Sequence, residues 1–142
     1  MRFMMLVKAS KNCEAGVLPD EKILSEIGKY NEDLVKAGVM LGGEGLHPSS
    51  KGVRVQLSGR GTTVVDGPFT EAKELVAGFW LWQCSSLDEA IEWAKRCPNP
   101  TGDESVLEIR PVFEIDDFGE AATPELREAE ARLRAQTADD RH

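Results

Sequence analysis

His47 stands three residues after Glu44 in GGEGLHP, and nineteen residues further on Asp66 opens the segment Asp66-Gly67-Pro68-Phe69. An imidazole titrates near neutrality, so His47 can accept or donate a proton, and a nearby carboxylate can share that work. Asp66 and His47 are therefore the candidate catalytic residues. Each also has a plainer reading. A single internal histidine is commonly a hydrogen-bonded surface residue, and Asp66 suits a tight turn as a local cap. In that turn Gly67 relaxes the backbone, Pro68 fixes its own φ and Phe69 pins the loop to apolar surface.

The other histidine, His142, stands at the end of the sequence and offers no second ligand, so no metal or other cofactor is expected. The glycines of GGEGLHPSSKG invite a phosphate-loop reading, but Ser49-Ser50 precede Lys51, and a phosphate loop needs the lysine before the hydroxyl residue. A flexible strand exit is the better account.

Further positions could bind a ligand together with Glu44. Glu108 and Arg110 alternate with Leu107 and Ile109 in SVLEIRPVF, which places them with Val106 and Val112 on the opposite sheet face. Enclosed charges must be paired or meet something polar, so these two form either a salt bridge or the lining of a polar cleft. Trp80 and Trp82 share one strand face with Gly78 and serve either as packing or as aromatic walls for a planar ligand. Tyr30 could bring a hydroxyl to the same region from the first long helix.

The elements that must position these residues are legible in the periodicities. RFMMLVK is apolar on both sides and predicts a buried strand. In LPDEKILSEIGKYNEDLVKAG, residues Ile23, Leu24, Ile27, Leu34 and Val35 recur at helical spacing, Pro19 suits a first turn and Gly38 a stop. VMLGGEGL reads as a glycine-loosened strand, and GVRVQLS with TTVV as a hairpin turning at Gly59-Arg60-Gly61. LVAGFWLWQC predicts a central strand. Ser86-Leu87-Asp88-Glu89 has the form of a capping box, starting a helix with a stripe of Leu87, Ala90, Ile91 and Ala94 that ends at Cys97-Pro98. SVLEIRPVF is a last strand, and Thr123 caps a peripheral third helix with a weak stripe of Leu126, Ala129 and Leu133 and surface pairs such as Glu128 with Arg132.

Two helices interleaved with strands in a split βαβ order predict an α+β, ferredoxin-like sandwich with an inserted hairpin and both helices on one sheet face. Two helices on one side leave the other sheet face apolar and open. A homodimer with sheets face to face, a dimeric α+β barrel, is the natural cover. The 142 residues fit one ordinary core. Residues 114–142 carry nine acids against four arginines, a net of -5 out of -8 for the chain, which separates a ferredoxin-like domain at 1–113 from an acidic C-terminal extension at 114–142.

The acidic balance argues against nucleic acid and against an anionic membrane surface as partners. No apolar run reaches the ~20 residues of a membrane span, and the opening residues form a strand pattern rather than a leader, so a cytoplasmic location is expected. Cys13, Cys84 and Cys97 are odd in number and unpaired in spacing, which predicts reduced thiols.

The segments GGEGLHPSSKGVRV and DGPFTEAKE, followed by AGFWLW, SLDEAIEWAKRCP and EIRPVF, resemble the DGPF-domain branch of the YCII-related family over residues 1 to 113. The resemblance implies a ferredoxin-like fold and a dimeric α+β barrel. Some members of that wider family resemble enzymes, among them a dehydrochlorinase acting on a chlorinated hydroxyhydroquinone, with a His on the first helix and an Asp after the second as the active pair. Those positions fall here at Ile27 or Gly28 and at Cys97, so that pair does not carry over.

Two functions follow. One is a protein that binds or acts on a small molecule by acid/base chemistry in a cleft at the sheet or the dimer seam, lined by Tyr30, Glu44, His47, Asp66, Trp80, Glu108 and Arg110. The other is a noncatalytic regulatory or protein-interaction module, since domains of this branch resemble neighbours of extracytoplasmic-function sigma factors; the tail helix would then dock a protein partner. Neither composition nor motif decides whether a reaction occurs.

Overall fold

The computed structural model describes residues 1–139, so His142 lies outside the described residues. The chain divides into two compact units, Met1–Pro111 and the segment from Val112 onward.

In the first unit, β1 (Arg2–Lys8) is followed by a short helix α1 (Lys11–Glu14), the long helix α2 (Glu21–Lys36), β2 (Met40–Gly45), the hairpin β3 (Val53–Ser58) and β4 (Gly61–Asp66), then β5 (Val76–Gln83), α3 (Leu87–Lys95) and β6 (Leu107–Pro111). Four strands form an antiparallel sheet in the order β2-β5-β1-β6. With α2 between β1 and β2 and α3 between β5 and β6, this is the ferredoxin-like order with an inserted hairpin.

The pleat decides what is buried. Phe3, Met5 and Val7 of β1, with Trp80 and Trp82 of β5, form the core with Tyr30 and Leu34 of α2 and Ala90 of α3, so both helices lie on one face of the sheet. Trp82, Phe3, Met5 and Leu34 are fully enclosed, and burial of side chains this size stabilises by roughly 1.5–3 kcal/mol each. Leu107 and Ile109 join that core from β6, while Glu108 and Arg110 take the opposite face. On that opposite face Met4, Leu6, Phe79 and Leu81 are only half-buried.

Three local details differ from what periodicity suggests. The N-cap of α2 is Asp20, whose carboxylate accepts the Ile23 N–H at 2.8 Å, so Pro19 precedes the helix instead of opening it. At α3, Ser86 Oγ accepts the Glu89 N–H at 3.1 Å, but the Glu89 carboxylate closes on the N–H of Ser85 at 2.7 Å, one residue before the cap. Helix α1 carries no sequence periodicity; Ser10 caps it by accepting the Cys13 N–H at 3.1 Å. Gly38, at φ +72°, ends α2 as expected.

The hairpin β3–β4 stands apart as a two-stranded sheet in which every residue is exposed. Its register pairs Val53 with Asp66 and Val55 with Val64, so Val53, Val55, Val64 and Leu57 share one face.

The second unit holds a 3-10 segment at Ile115–Ala121 and helix α4 (Pro124–Asp139), with Thr123 Oγ1 accepting the Leu126 N–H at 3.3 Å. Phe113 and Phe118 stack at 5.0 Å, Arg127 pairs with Asp116, and among the described residues α4 carries an ion pair of Glu130 with Arg134 and none of Glu128 with Arg132. Among the described residues no helix is long and apolar enough to cross a membrane, and Cys13, Cys84 and Cys97 are free thiols.

Candidate functional site

The sheet leaves space where its residues are smallest. Along β2, Gly43 and Gly45 face the helix side opposite Trp80 and Gly78 of β5. A Cβ on Gly43 would stand 2.7 Å from Trp80 Cδ1, so only glycine lets the indole lie there. A Cβ on Gly45 would meet nothing within 4 Å, because that position opens into a cavity.

The cavity measures about 850 Å³ and lies between α2 and the β2/β5 side of the sheet, within the size range of small-molecule sites. Leu24, Ile27 and Asn31 of α2 form one wall, and Trp80, Gly43 and Gly78 the other. The loop after β2 brings Leu46, His47 and Lys51 to the rim, and α1 with its exit brings Cys13, Glu14 and Val17.

Of the seven residues singled out in the sequence, Glu44, His47 and Trp80 border this cavity. His47 is exposed at the mouth. Glu44 borders it from the edge strand, while its register opposite Phe79 puts its side chain on the other sheet face. Trp80 is buried, its indole N–H donating to Asn31 Oδ1 at 2.9 Å.

Tyr30 backs the cavity rather than lining it. Its ring meets Trp80 edge to face at 5.9 Å, and its hydroxyl donates to the Trp93 carbonyl at 2.6 Å, joining α2 to α3. Burial, then the nearby Cys97, push that hydroxyl well above the usual tyrosine range.

Glu108 and Arg110 stand on the far sheet face, opposite Leu6 and Met4 of β1. Glu108 lies 4.0 Å from Lys8 Nζ rather than against Arg110. Glu44, Phe79, Leu6 and Glu108 thus occupy one row across the sheet, on the face away from the cavity.

Asp66 ends β4, is exposed, and does not border the cavity; its carboxylate has no hydrogen bond or ion pair among the described residues. The rest of its segment is firmly held. The Gly67 N–H donates to the Gly52 carbonyl at 2.9 Å, the Phe69 N–H donates to Ser49 Oγ at 3.0 Å, and the Arg54 guanidinium lies 3.8 Å over the Phe69 ring. Ser49 Oγ in turn donates to one carboxylate oxygen of Glu14, and the Ser49 N–H donates to the other at 3.0 Å. The Asp66–Phe69 segment therefore belongs to a buckle that ties the hairpin to the loop and helix at the cavity rim.

Asn31 is the site residue that periodicity passes over. It follows Ile27 by four residues and precedes Leu34 by three, a polar side chain inside the apolar stripe of α2, and that interruption is its signal. The Glu14–Ser49 contact joins residues 35 apart, and no local pattern announces it.

At the positions where the family resemblance puts a His and an Asp, Ile27 lines the cavity, Gly28 is exposed and outside its lining, and Cys97 is half-buried, with burial raising its thiol to about 11. Among the described residues no three His, Cys, Asp or Glu side chains are grouped to hold a metal ion.

Fold and cavity together define an antiparallel ferredoxin-like α+β domain with an open site between its first long helix and its sheet. A model of the YCII-related domain matches residues 1–116, and the chain belongs to that family. An uncharacterized protein of Rhizobium meliloti (strain 1021) is 33% identical over 93 residues, covering 66% of this chain and 75% of that one. Among solved structures, the 5-chloro-2-hydroxyhydroquinone dehydrochlorinase of Burkholderia phenoliruptrix, in complex with 2,5-dihydroxybenzoquinone, aligns with a TM-score of 0.45 and 16% identity over 80% of this chain and 95% of that one.

Proposed function

We propose that this protein binds a small, largely apolar molecule in the cavity between α2 and the β2/β5 side of the sheet, with His47 exchanging a proton with it at the mouth. The observation that carries this is the cavity itself: about 850 Å³ walled by Leu24, Ile27 and Trp80, with His47 and Lys51 at its rim. Apolar walls supply affinity through area removed from water, and a few polar groups fix orientation. An imidazole that meets both solvent and ligand can take a proton from one and return it to the other.

The experiment uses 8-anilinonaphthalene-1-sulfonate as a probe. Its fluorescence should rise with the native protein and fall back in Gly45→Leu, whose side chain enters the open space at that position. Equal enhancement in both proteins would sink the cavity reading. The His47 ring resonances, assigned by NMR with His47→Gln, should move when the probe binds; unmoved resonances remove His47 from the site.

A second reading, an interaction module working through protein contacts, is favoured by a different feature. Val53, Val55, Leu57 and Val64 lie exposed on a two-stranded ribbon, and such ribbons are marginal without a third layer. With the half-buried Met4, Leu6, Phe79 and Leu81 on the outer sheet face, this supports a homodimer as the working form. Sedimentation should give a dimer for the native chain and a monomer for Leu6→Asp or Leu57→Asp; a monomeric native chain ends this reading.

A further inference from the structure

The inner wall of the cavity has a directional polar group. The Trp80 indole N–H can only donate, so the Asn31 atom it meets at 2.9 Å is the amide oxygen. That bond commits Oδ1 and fixes the plane of the amide. The Asn31 Nδ2 group, with two N–H donors, has no acceptor among the described residues, and Asn31 lines the cavity. The same bond satisfies the one polar atom of Trp80, so the indole offers only ring surface.

Ile27, one turn before Asn31 on α2, together with Met40, Val7 and the ring of Trp80 give the lining an apolar surface. The acidic and basic side chains of the lining are His47 and Lys51 on the loop after β2, Glu44 on the edge strand with its side chain on the other sheet face, and Glu14 at the end of α1, both of whose oxygens already accept from Ser49. A ligand that filled the cavity with hydrocarbon alone would leave the Asn31 donors buried without partners, which is unfavourable. A ligand bearing an acceptor oxygen at its inner end removes that cost.

We propose that Asn31, held by Trp80, is the specificity-determining residue of this cavity and selects apolar ligands that carry a carbonyl-type acceptor oxygen. This rests on the cavity reading above. Asn31 contacts the ligand oxygen, while Trp80 acts as the positioning residue that orients the amide.

The test compares two probes of nearly equal shape, 2-acetylnaphthalene and 2-isopropylnaphthalene, by equilibrium dialysis against the full chain. The native protein should prefer the ketone over the hydrocarbon, after correction for their partition between water and hydrocarbon, by about 3- to 10-fold, the worth of one net hydrogen bond. Asn31→Asp keeps the acceptor for Trp80 but replaces the amide donors with a carboxylate oxygen, so at neutral pH the preference should vanish or reverse while hydrocarbon affinity changes little. Asn31→Leu should lose the preference as well, and circular dichroism with a thermal melt verifies that both variants fold. If both probes bind but the ratio stays constant across the three proteins, Asn31 does not select and the proposal is overturned, with the cavity left standing. Binding of neither probe to the native protein overturns both readings together.

Discussion

Gly67 lies so close against Ser49 that a Cβ at residue 67 would stand 1.8 Å from the Ser49 carbonyl oxygen and 2.7 Å from its carbonyl carbon. Both atoms are backbone, so no rotamer change relieves the contact. The close approach is what lets the Gly67 N–H reach the Gly52 carbonyl at 2.9 Å and the Phe69 N–H reach Ser49 Oγ at 3.0 Å. Glycine at this position is a steric requirement of the buckle.

Gly67→Ala should therefore separate the hairpin base from the rim loop. Overpacking of this kind costs about 1–3 kcal/mol or more. Urea denaturation should show a lower midpoint, and probe binding should weaken because the His47–Lys51 loop loses its support. A variant with native midpoint and native binding would show that the loop yields without consequence.

Ser49→Ala removes the hydroxyl that accepts from Phe69 and donates to Glu14. It leaves the Phe69 N–H without its acceptor, at a cost of about 1–3 kcal/mol. Hydrogen exchange at Phe69 should speed up in this variant while amides of the central strand β1 keep their native protection. Unaltered exchange at Phe69 would mean the bond contributes nothing.

Tyr30→Phe deletes the hydroxyl that joins α2 to the Trp93 carbonyl of α3. The ring contact with Trp80 survives, so the expected loss is that of a single part-buried bond, about 1–2 kcal/mol. Chemical denaturation reads this directly, and probe binding should hardly change, since Tyr30 lies behind the cavity wall.

Two pH windows follow from the shifted groups. Burial raises the Cys97 thiol from 9.0 to about 11, so the folded state keeps its proton over a range in which the unfolded chain gives it up. Its contribution is complete below about pH 9 and is lost as pH rises toward about 11. Cys97→Ala should make the fall of Tm shallower across that window, leaving the fall contributed by Tyr30, which burial also raises and which sets in near pH 10 and continues beyond the window. Identical alkaline curves for the two proteins would refute the assignment.

Glu89 behaves in the opposite sense. The Ser85 hydroxyl first, then the Ser85 N–H, hold its carboxyl below 4.5. A depressed folded value stabilises above the unfolded one and is lost as pH falls through it. Glu89→Gln should melt lower than the native protein near neutral pH, and the gap should narrow as pH falls below the ordinary glutamate range. A gap that persists in acid would place the effect in packing rather than in charge.

How far the sequence carries depends on whether the deciding contacts are local. The strands, the two long helices and their order show in the periodicities of RFMMLVK, FWLW and the stripe of α2, because a pleat and a helical turn repeat over a few residues. The alternation in SVLEIRPVF puts Glu108 and Arg110 on the face opposite Leu107 and Ile109, and they lie there. The capping box at Ser86 is nearly legible, missing only the shift of the Glu89 partner to Ser85. The YCII-related match over residues 1–116 accords with the motifs quoted from the sequence.

The candidate site divides differently. Sequence alone nominated chemically able residues, but side-chain chemistry says nothing about which of them face the same space. Tertiary structure decided that: it put His47 and Trp80 on the cavity, turned Glu108 and Arg110 to the other sheet face, and left Asp66 exposed at the end of the hairpin. It also brought Glu14 to Ser49 across 35 residues and Trp80 to Asn31 across 49. Local order follows from repeats of two and 3.6 residues, whereas convergence at a site depends on how a helix and a sheet pack, which no short window of sequence contains.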